Sequence, residues 1–425
     1  MFNLIKHFKN KELFIALYFS LFILGFSVQI SPNFYNEARV LEVLLLLGLS
    51  LYSFINKENI FFKKELFFLF FISIGFFFWS NYQTIFFELL LFYFLYKLFF
   101  NLNYNKTISK LIIFSSFLVF IMFPISLWKY VNTGLYTNWY PLPWNIRIYN
   151  SYFLIFSIFA IWFYLNEIQY KNVYLTFIFF AFLSILLDGG RSVTLAYTFF
   201  IFFVCIFNNL ARPKLLFTYG LTWLAYFSII HFSSYSASGL ITLDRESTSG
   251  RYELWINAFQ CWIQSPIFGC GFYQLDKYSG LPAHPHNLFI QILTETGLIG
   301  FIFLSFILFG IAKNISWDFK KNYFVLAALG AIIIDLSFSG IHIYPVTQIA
   351  LLWFFVFLLK NPEFSHSTYF NQLVIQNSKY IKTINLIIYV FIAVMFFYLF
   401  VNTSVLTESL PLTPPRFWEY GYQLY

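Results

Sequence analysis

Charge is what this sequence has least of. Charged residues make up 10% of its 425 positions and hydrophobic residues 60%, whereas a soluble globular protein carries roughly 25% charged. That shortage excludes an ordinary water-soluble domain. Cysteine is scarce as well, and Cys205, Cys261 and Cys270 do not form the even, dense set of a disulfide framework. No basic tract is dense enough to track a phosphate backbone, so the net charge of +8 does not point to nucleic acid. Period-2 alternation is missing, which argues against a membrane β-barrel. The first apolar run is too long for a signal core and lacks a small-residue cleavage site, so no removable signal is expected. No internal repeat is visible.

What is there instead is a series of apolar runs, most long enough to cross a bilayer as helices. We read thirteen: about 12–30, 40–56, 66–80, 84–100, 111–128, 150–166, 173–188, 193–210, 215–231, 288–312, 323–341, 344–360 and 383–401. Backbone groups in lipid must be satisfied internally, so the expected fold is an all-α polytopic membrane protein of about 12–13 transmembrane helices. The expected organisation is an N-terminal set of helices (1–128), a central membrane region (129–360) holding the outer loop 232–287, and a last segment (361–425). That last segment comprises a cytoplasmic linker, one helix and an outer tail.

The positive-inside rule orients the chain. With Lys6, Lys9 and Lys11 in the cytoplasm and the spans alternating, 18 of the 26 basic residues fall inside. Lysine and arginine then separate: 17 of 19 Lys lie inside, and six of seven Arg lie outside. A guanidinium grips phosphate or carboxylate oxygens at two points and stays charged when dehydrated. Outward arginines near helix ends therefore favour an anionic ligand there. The plainer alternative is ordinary pairing with Glu37, Asp188, Asp244, Glu246 or Glu253.

A polar island interrupts the apolar pattern from about His231 to Asn287. Within it, apolar residues at 254, 255, 258, 259 and 262 predict a short amphipathic helix at the membrane surface, with Arg251 in its first turn. Ser265-Pro266-Ile267-Phe268-Gly269 ends that helix with turn residues. Cys261 and Cys270 both lie in the island and can pair if it faces an oxidising compartment. His284-Pro285-His286-Asn287 sits just before the next span. Two histidines are too few for a convincing zinc set, so no metal is expected, and a base role at His286 or His284 fits better. Glu295, two turns into that span, needs a partner. Elsewhere, Asp188-Gly189-Gly190-Arg191 is a tight break that sets Arg191 at the membrane edge, and Arg147 follows Pro141 and Pro143 in a similar place. Asp335 and His342 flank the outer end of a later span.

Taken in order, Arg251…Trp255, Ser265-Pro266-Ile267-Phe268-Gly269-x-Gly271, His284-x-His286-Asn287 and Glu295-x-Gly297-x-x-Gly300 resemble the O-antigen ligase and polymerase superfamily of bacterial envelope glycosyltransferases. The resemblance covers roughly residues 130–360. It implies a GT-C-like membrane fold in the inner membrane with a periplasmic active site. It further implies a glycan donor linked to undecaprenyl diphosphate, a hydroxyl acceptor, and neither metal nor cofactor. By the family pattern Arg147, Arg191 and Arg251 hold the diphosphate, Arg191 and Arg251 serve the reaction with His286, and His284, Asn287 and Glu295 support them. The expected reaction inverts the anomeric carbon, since no outer carboxylate pair is evident. The acceptor stays open among lipid A–core, a protein hydroxyl and a growing glycan; His342-x-Tyr344-Pro345 is closer to protein-glycosylating relatives. A transporter of the same lipid is the alternative from another class. It is opposed by polar residues gathered at one face rather than at the midplane.

Overall fold

The structure is a computed structural model. It describes residues 10–28, 35–56, 74–75, 77–79, 82–121, 123–125, 127–128, 146–232, 243, 250–272, 274–277, 285–313, 315–361, 363–364 and 379–401. Among these the chain forms helices and no strand: α1 (Asn10–Val28), α2 (Tyr35–Ile55), α3 (Tyr82–Phe100), α4 (Lys106–Phe120), α5 (Ile146–Asn166), α6 (Lys171–Leu187), α7 (Arg191–Phe207), α8 (Arg212–Phe232), α9 (Arg251–Gln264), α10 (Leu288–Lys313), α11 (Tyr323–Phe338), α12 (Pro345–Lys360) and α13 (Lys379–Val401). Twelve correspond to expected spans and α9 to the island helix. The expected span at 66–80 falls largely outside the described residues.

Four helical stretches, Asn36–Ile55, Lys106–Ile125, Arg212–Phe232 and Leu288–Lys313, are long and apolar enough to cross a membrane, and five shorter apolar helices accompany them. The protein is a multi-pass α-helical membrane protein. Two helices form its centre. Every residue of α5 from Phe153 to Phe163 is at most 1% exposed, and α12 is buried nearly end to end. A helix that is apolar all round belongs in a core or a membrane; these two pack on each other inside the bundle. Around them α1 packs on α2 and α4, α6 on α5 and α8, and α7 on α11. The outer helices turn apolar residues outward, among them Leu221, Leu224 and Phe227 of α8 and Phe391, Val394 and Phe397 of α13. These suit contact with lipid tails.

The two ends of the bundle differ in their cations. At one end, lysines lie over aromatic rings: Lys106 Nζ is 4.7 Å from the centre of the Trp162 ring, and Lys360 Nζ is 4.9 Å from that of Phe100. Lys110 pairs with Glu167 at 2.7 Å. Arg212 belongs to this end, where its Nε donates to the Cys205 carbonyl at 2.7 Å and caps the last turn of α7. At the other end lie the starts of α2, α5, α7, α10 and α12 and the close of α6 and α11, with Arg39 and Arg191 among them.

Candidate active site

Helix α10 is broken in its third turn, and the island fills the break. Gly297 sits at φ +67°, ψ −161°, inside an otherwise helical run. A break frees backbone groups that lipid cannot satisfy. Here the segment Pro266–Gly271 satisfies them in both directions. Leu298 N donates to the Pro266 carbonyl at 3.0 Å and Ile299 N to that of Ile267 at 3.2 Å, while Cys270 N donates to Thr294 O at 2.9 Å and Gly271 N to Glu295 O at 3.2 Å. The approach is so close that a Cβ on Gly297 would lie 2.4 Å from Gly269 N, and one on Gly269 would lie 2.6 Å from Gly297 N. The Gly269 and Gly297 of the two motifs are therefore the two halves of one backbone lock. Sequence reading had assigned only a turn to the first of them.

Further contacts tie this lock to its surroundings. Cys261 and Cys270 form a disulfide, with Cα atoms 5.8 Å apart, that fastens α9 to the lock. From the N-terminal region, Trp79 Nε1 donates to the Phe268 carbonyl at 2.6 Å, and the Phe78 ring stacks on that of Phe268 at 4.4 Å. Helix α9 turns Leu254, Ala258 and Cys261 inward as the periodicity predicts. Its other side, with Tyr252, Ile256, Phe259 and Ile263, is exposed. Phe259, expected on the buried stripe, is thus on the outer one, because the buried face centres on 254, 258 and 261.

The histidine segment enters α10 directly. Asn287 is the helix N-cap, its Oδ1 accepting from Phe289 N at 2.9 Å and Ile290 N at 3.0 Å. His286, just before it, is buried and has φ +52°, one of two non-glycine residues with positive φ among the described residues. Such a backbone is uncommon outside glycine and clusters at functional sites. Trp255 Nε1 of α9 donates to the Pro285 carbonyl at 2.9 Å. That bond ties the helix bearing Arg251 to the histidine segment. His284 lies outside the described residues.

The arginines gather around a second corner. Helix α6 ends with Gly189 at φ +63°. Gly189 N bonds Leu186 O at 3.0 Å and Gly190 N bonds Ile185 O at 3.2 Å, which is the Schellman pattern. Gly190 is needed for another reason: a Cβ there would lie 2.6 Å from Asn150 Nδ2. This tight turn starts α7 at Arg191, against the first turn of α5, where Arg147 stands one turn before Asn150. Only the helical backbone of Arg147 is described. Next to Asn150, Ser151 Oγ donates to Asp335 Oδ2 of α11 at 2.7 Å, and Asp335 lies within electrostatic reach of Arg251. Arg251 thus neighbours the contact of α5 with α11, and Arg191 starts α7 beside Asn150 of the same α5, with the backbone of Arg147 one turn earlier.

A further polar group escaped the sequence reading. Arg39, fully buried, bonds Glu42 at 2.6 Å, Glu88 at 3.1 Å and Gln348 at 3.4 Å. Gln348 Nε2 donates to the His342 carbonyl at 2.9 Å, the His342 imidazole meets Gln291 Oε1 at 2.9 Å, and Gln291 Nε2 donates to Glu295 Oε2 at 3.3 Å. A polar chain thus runs from α2 and α3 through α12 to α10. A carboxylate pair does exist at this end, but it is gathered around Arg39. Glu295, which needs a partner inside a span, accepts from the side chain of Gln291. The signal was present in Glu42 and Glu88, which are acidic residues inside apolar runs and need a partner.

The class defined by these features is a multi-pass helical membrane protein with arginines and a histidine held at one end. Residues 175–305 match the family model described as O-antigen ligase. The matched stretch runs from α6 through the lock into α10. It contains Arg191, Arg251, His284, His286, Asn287 and Glu295, and it excludes Arg39, Arg147, Asp335 and His342. It is narrower than the resemblance drawn from motifs. No curated protein matches the chain significantly.

Proposed function

We propose that this protein is an O-antigen ligase-like glycosyltransferase. It moves a glycan from undecaprenyl diphosphate to a hydroxyl of lipid A–core on the periplasmic face of the inner membrane. The observation that carries this reading is the coincidence of the family match with Arg191, Arg251 and His286 at the start of three helices at one end of the bundle. Sidedness is supported by the Cys261–Cys270 disulfide, a bond that persists in oxidising compartments.

In this reading Arg147, Arg191 and Arg251 bind the diphosphate and offset the negative charge that grows on it as the glycosidic bond breaks. His286 takes the acceptor hydroxyl proton while the oxygen attacks the anomeric carbon from the opposite face. One displacement inverts that carbon and releases undecaprenyl diphosphate. Asn287 and the lock hold His286 in register by fixing the start of α10. No metal is required by these steps.

The test is transfer by the purified full-length protein from a lipid-linked glycan to lipid A–core. Arg191→Ala and Arg251→Ala are each expected to lower the rate by about 100-fold while the folded protein is recovered normally. Folded variants with full transfer would overturn the reading. If only a protein acceptor is glycosylated, or the glycan itself lengthens, the acceptor assignment falls and the donor chemistry stands. If lipid crosses the bilayer with no new glycosidic bond, the protein is a transporter.

A further inference from the structure

Beside Arg191, two side chains have buried polar atoms with no hydrogen-bond partner among the described residues. Asn150 is 1% exposed, and neither its Oδ1 nor its Nδ2 is bonded; Thr194 Oγ1, three residues after Arg191, is buried and unbonded too. Buried amides are nearly always satisfied, and an exception calls for an explanation. The surroundings make the exception sharper. Gly190 gives up its side chain to make room for the Asn150 amide, and the neighbouring Ser151 is fully engaged by Asp335. Replacing Asn150 with an apolar residue would remove an unfavourable group at no loss of bonds. Its presence is therefore hard to account for by stability.

We propose that Asn150 is a sugar-recognition residue, and that its amide binds a hydroxyl or acetamido group on the first sugar of the lipid-linked donor. This rests on the diphosphate reading of Arg191. A primary amide offers two donors and one acceptor side by side. It cannot compensate the charge of a diphosphate, but it complements a neutral group that both gives and receives. The substituent on the carbon next to the anomeric centre is that kind of group, and it is only a few bonds from the diphosphate. An amide packed on the residue that precedes Arg191 is placed to read it. The amide is already out of water, so much of its desolvation is met before the donor arrives. The side chains covering it must part on binding. Thr194, three residues along α7, offers a second unbonded hydroxyl.

The experiment measures binding of two lipids to the full-length protein in nanodiscs: bare undecaprenyl diphosphate, and undecaprenyl diphosphate carrying N-acetylglucosamine. Asn150→Leu and Asn150→Ala are each expected to weaken the sugar-bearing lipid at least tenfold and the bare lipid less than twofold. Arg191→Ala is expected to weaken both. The ligand-free Asn150→Leu protein should unfold at the same temperature as the parent or higher, which a structural asparagine would not allow. The inference is overturned if the Asn150 variants lose both lipids in proportion, lose neither, or unfold several degrees lower. Should the parent bind neither lipid, or Arg191→Ala bind both normally, the donor reading itself fails and takes this inference with it.

Discussion

Arg39 and Asn150 stand at the same end of the bundle and solve opposite problems. Arg39 brings a full charge into a dry interior, and two carboxylates and a carboxamide meet it there. Asn150 brings a neutral amide, and no group among the described residues bonds it. The first arrangement is closed by ion pairs and joins α2, α3 and α12. The second is open, and it borders Arg191. Polar groups that hold a membrane protein together bond to one another; those that wait for a substrate do not.

Removing one side of the closed arrangement should have the largest effect. Arg39→Leu leaves Glu42 and Glu88 buried without their guanidinium, and stability is expected to fall by about 3–5 kcal/mol. Thermal unfolding in detergent would show it. The comparison sharpens if Glu42→Gln and Glu88→Gln are added, since neutral side chains should recover part of the loss. If Arg39→Leu unfolds normally, the arrangement is not structural and the contrast with Asn150 collapses.

A smaller effect tests whether the open corner is stiffened from nearby. Replacing Cys261 and Cys270 with serine should cost about 2 kcal/mol, read as a lower unfolding temperature, with a matching change when the parent is reduced. Unaltered unfolding in both would mean that the lock holds without its covalent tie. The smallest effect is at the cap: Asn287→Ala should lower stability by about 1 kcal/mol, and Asn287→Asp should recover most of it. An equal loss in both would show that the carboxamide does more than cap α10.

The helices were legible because long apolar runs leave the backbone one way to satisfy itself. The island helix was legible too, from Leu254, Ala258 and their spacing. Arg251 at its first turn and Arg191 at the double glycine stand where the sequence placed them. The lock was not legible, since it joins backbone atoms across some thirty positions and backbone atoms carry no residue identity. Its only trace was Gly269 and Gly297, seen as separate motifs. The Arg39 group was hidden by distance along the chain: Gln348 is 309 residues from its partner. The orphaned amide of Asn150 could not be seen in sequence at all, because a missing bond appears only once every neighbour is in place.

The broken helix also sets an order of events. Residues 266–271 are made before 294–299, so the strip of chain that completes α10 already exists when the break emerges. Without it, each exposed amide and carbonyl at the break would cost several kcal/mol in hydrocarbon. The helix can therefore settle into the bilayer only after the preceding loop has folded back onto it. Insertion of this span is gated by the folding of its neighbour, and a chain stalled before that step would hold α10 at the surface.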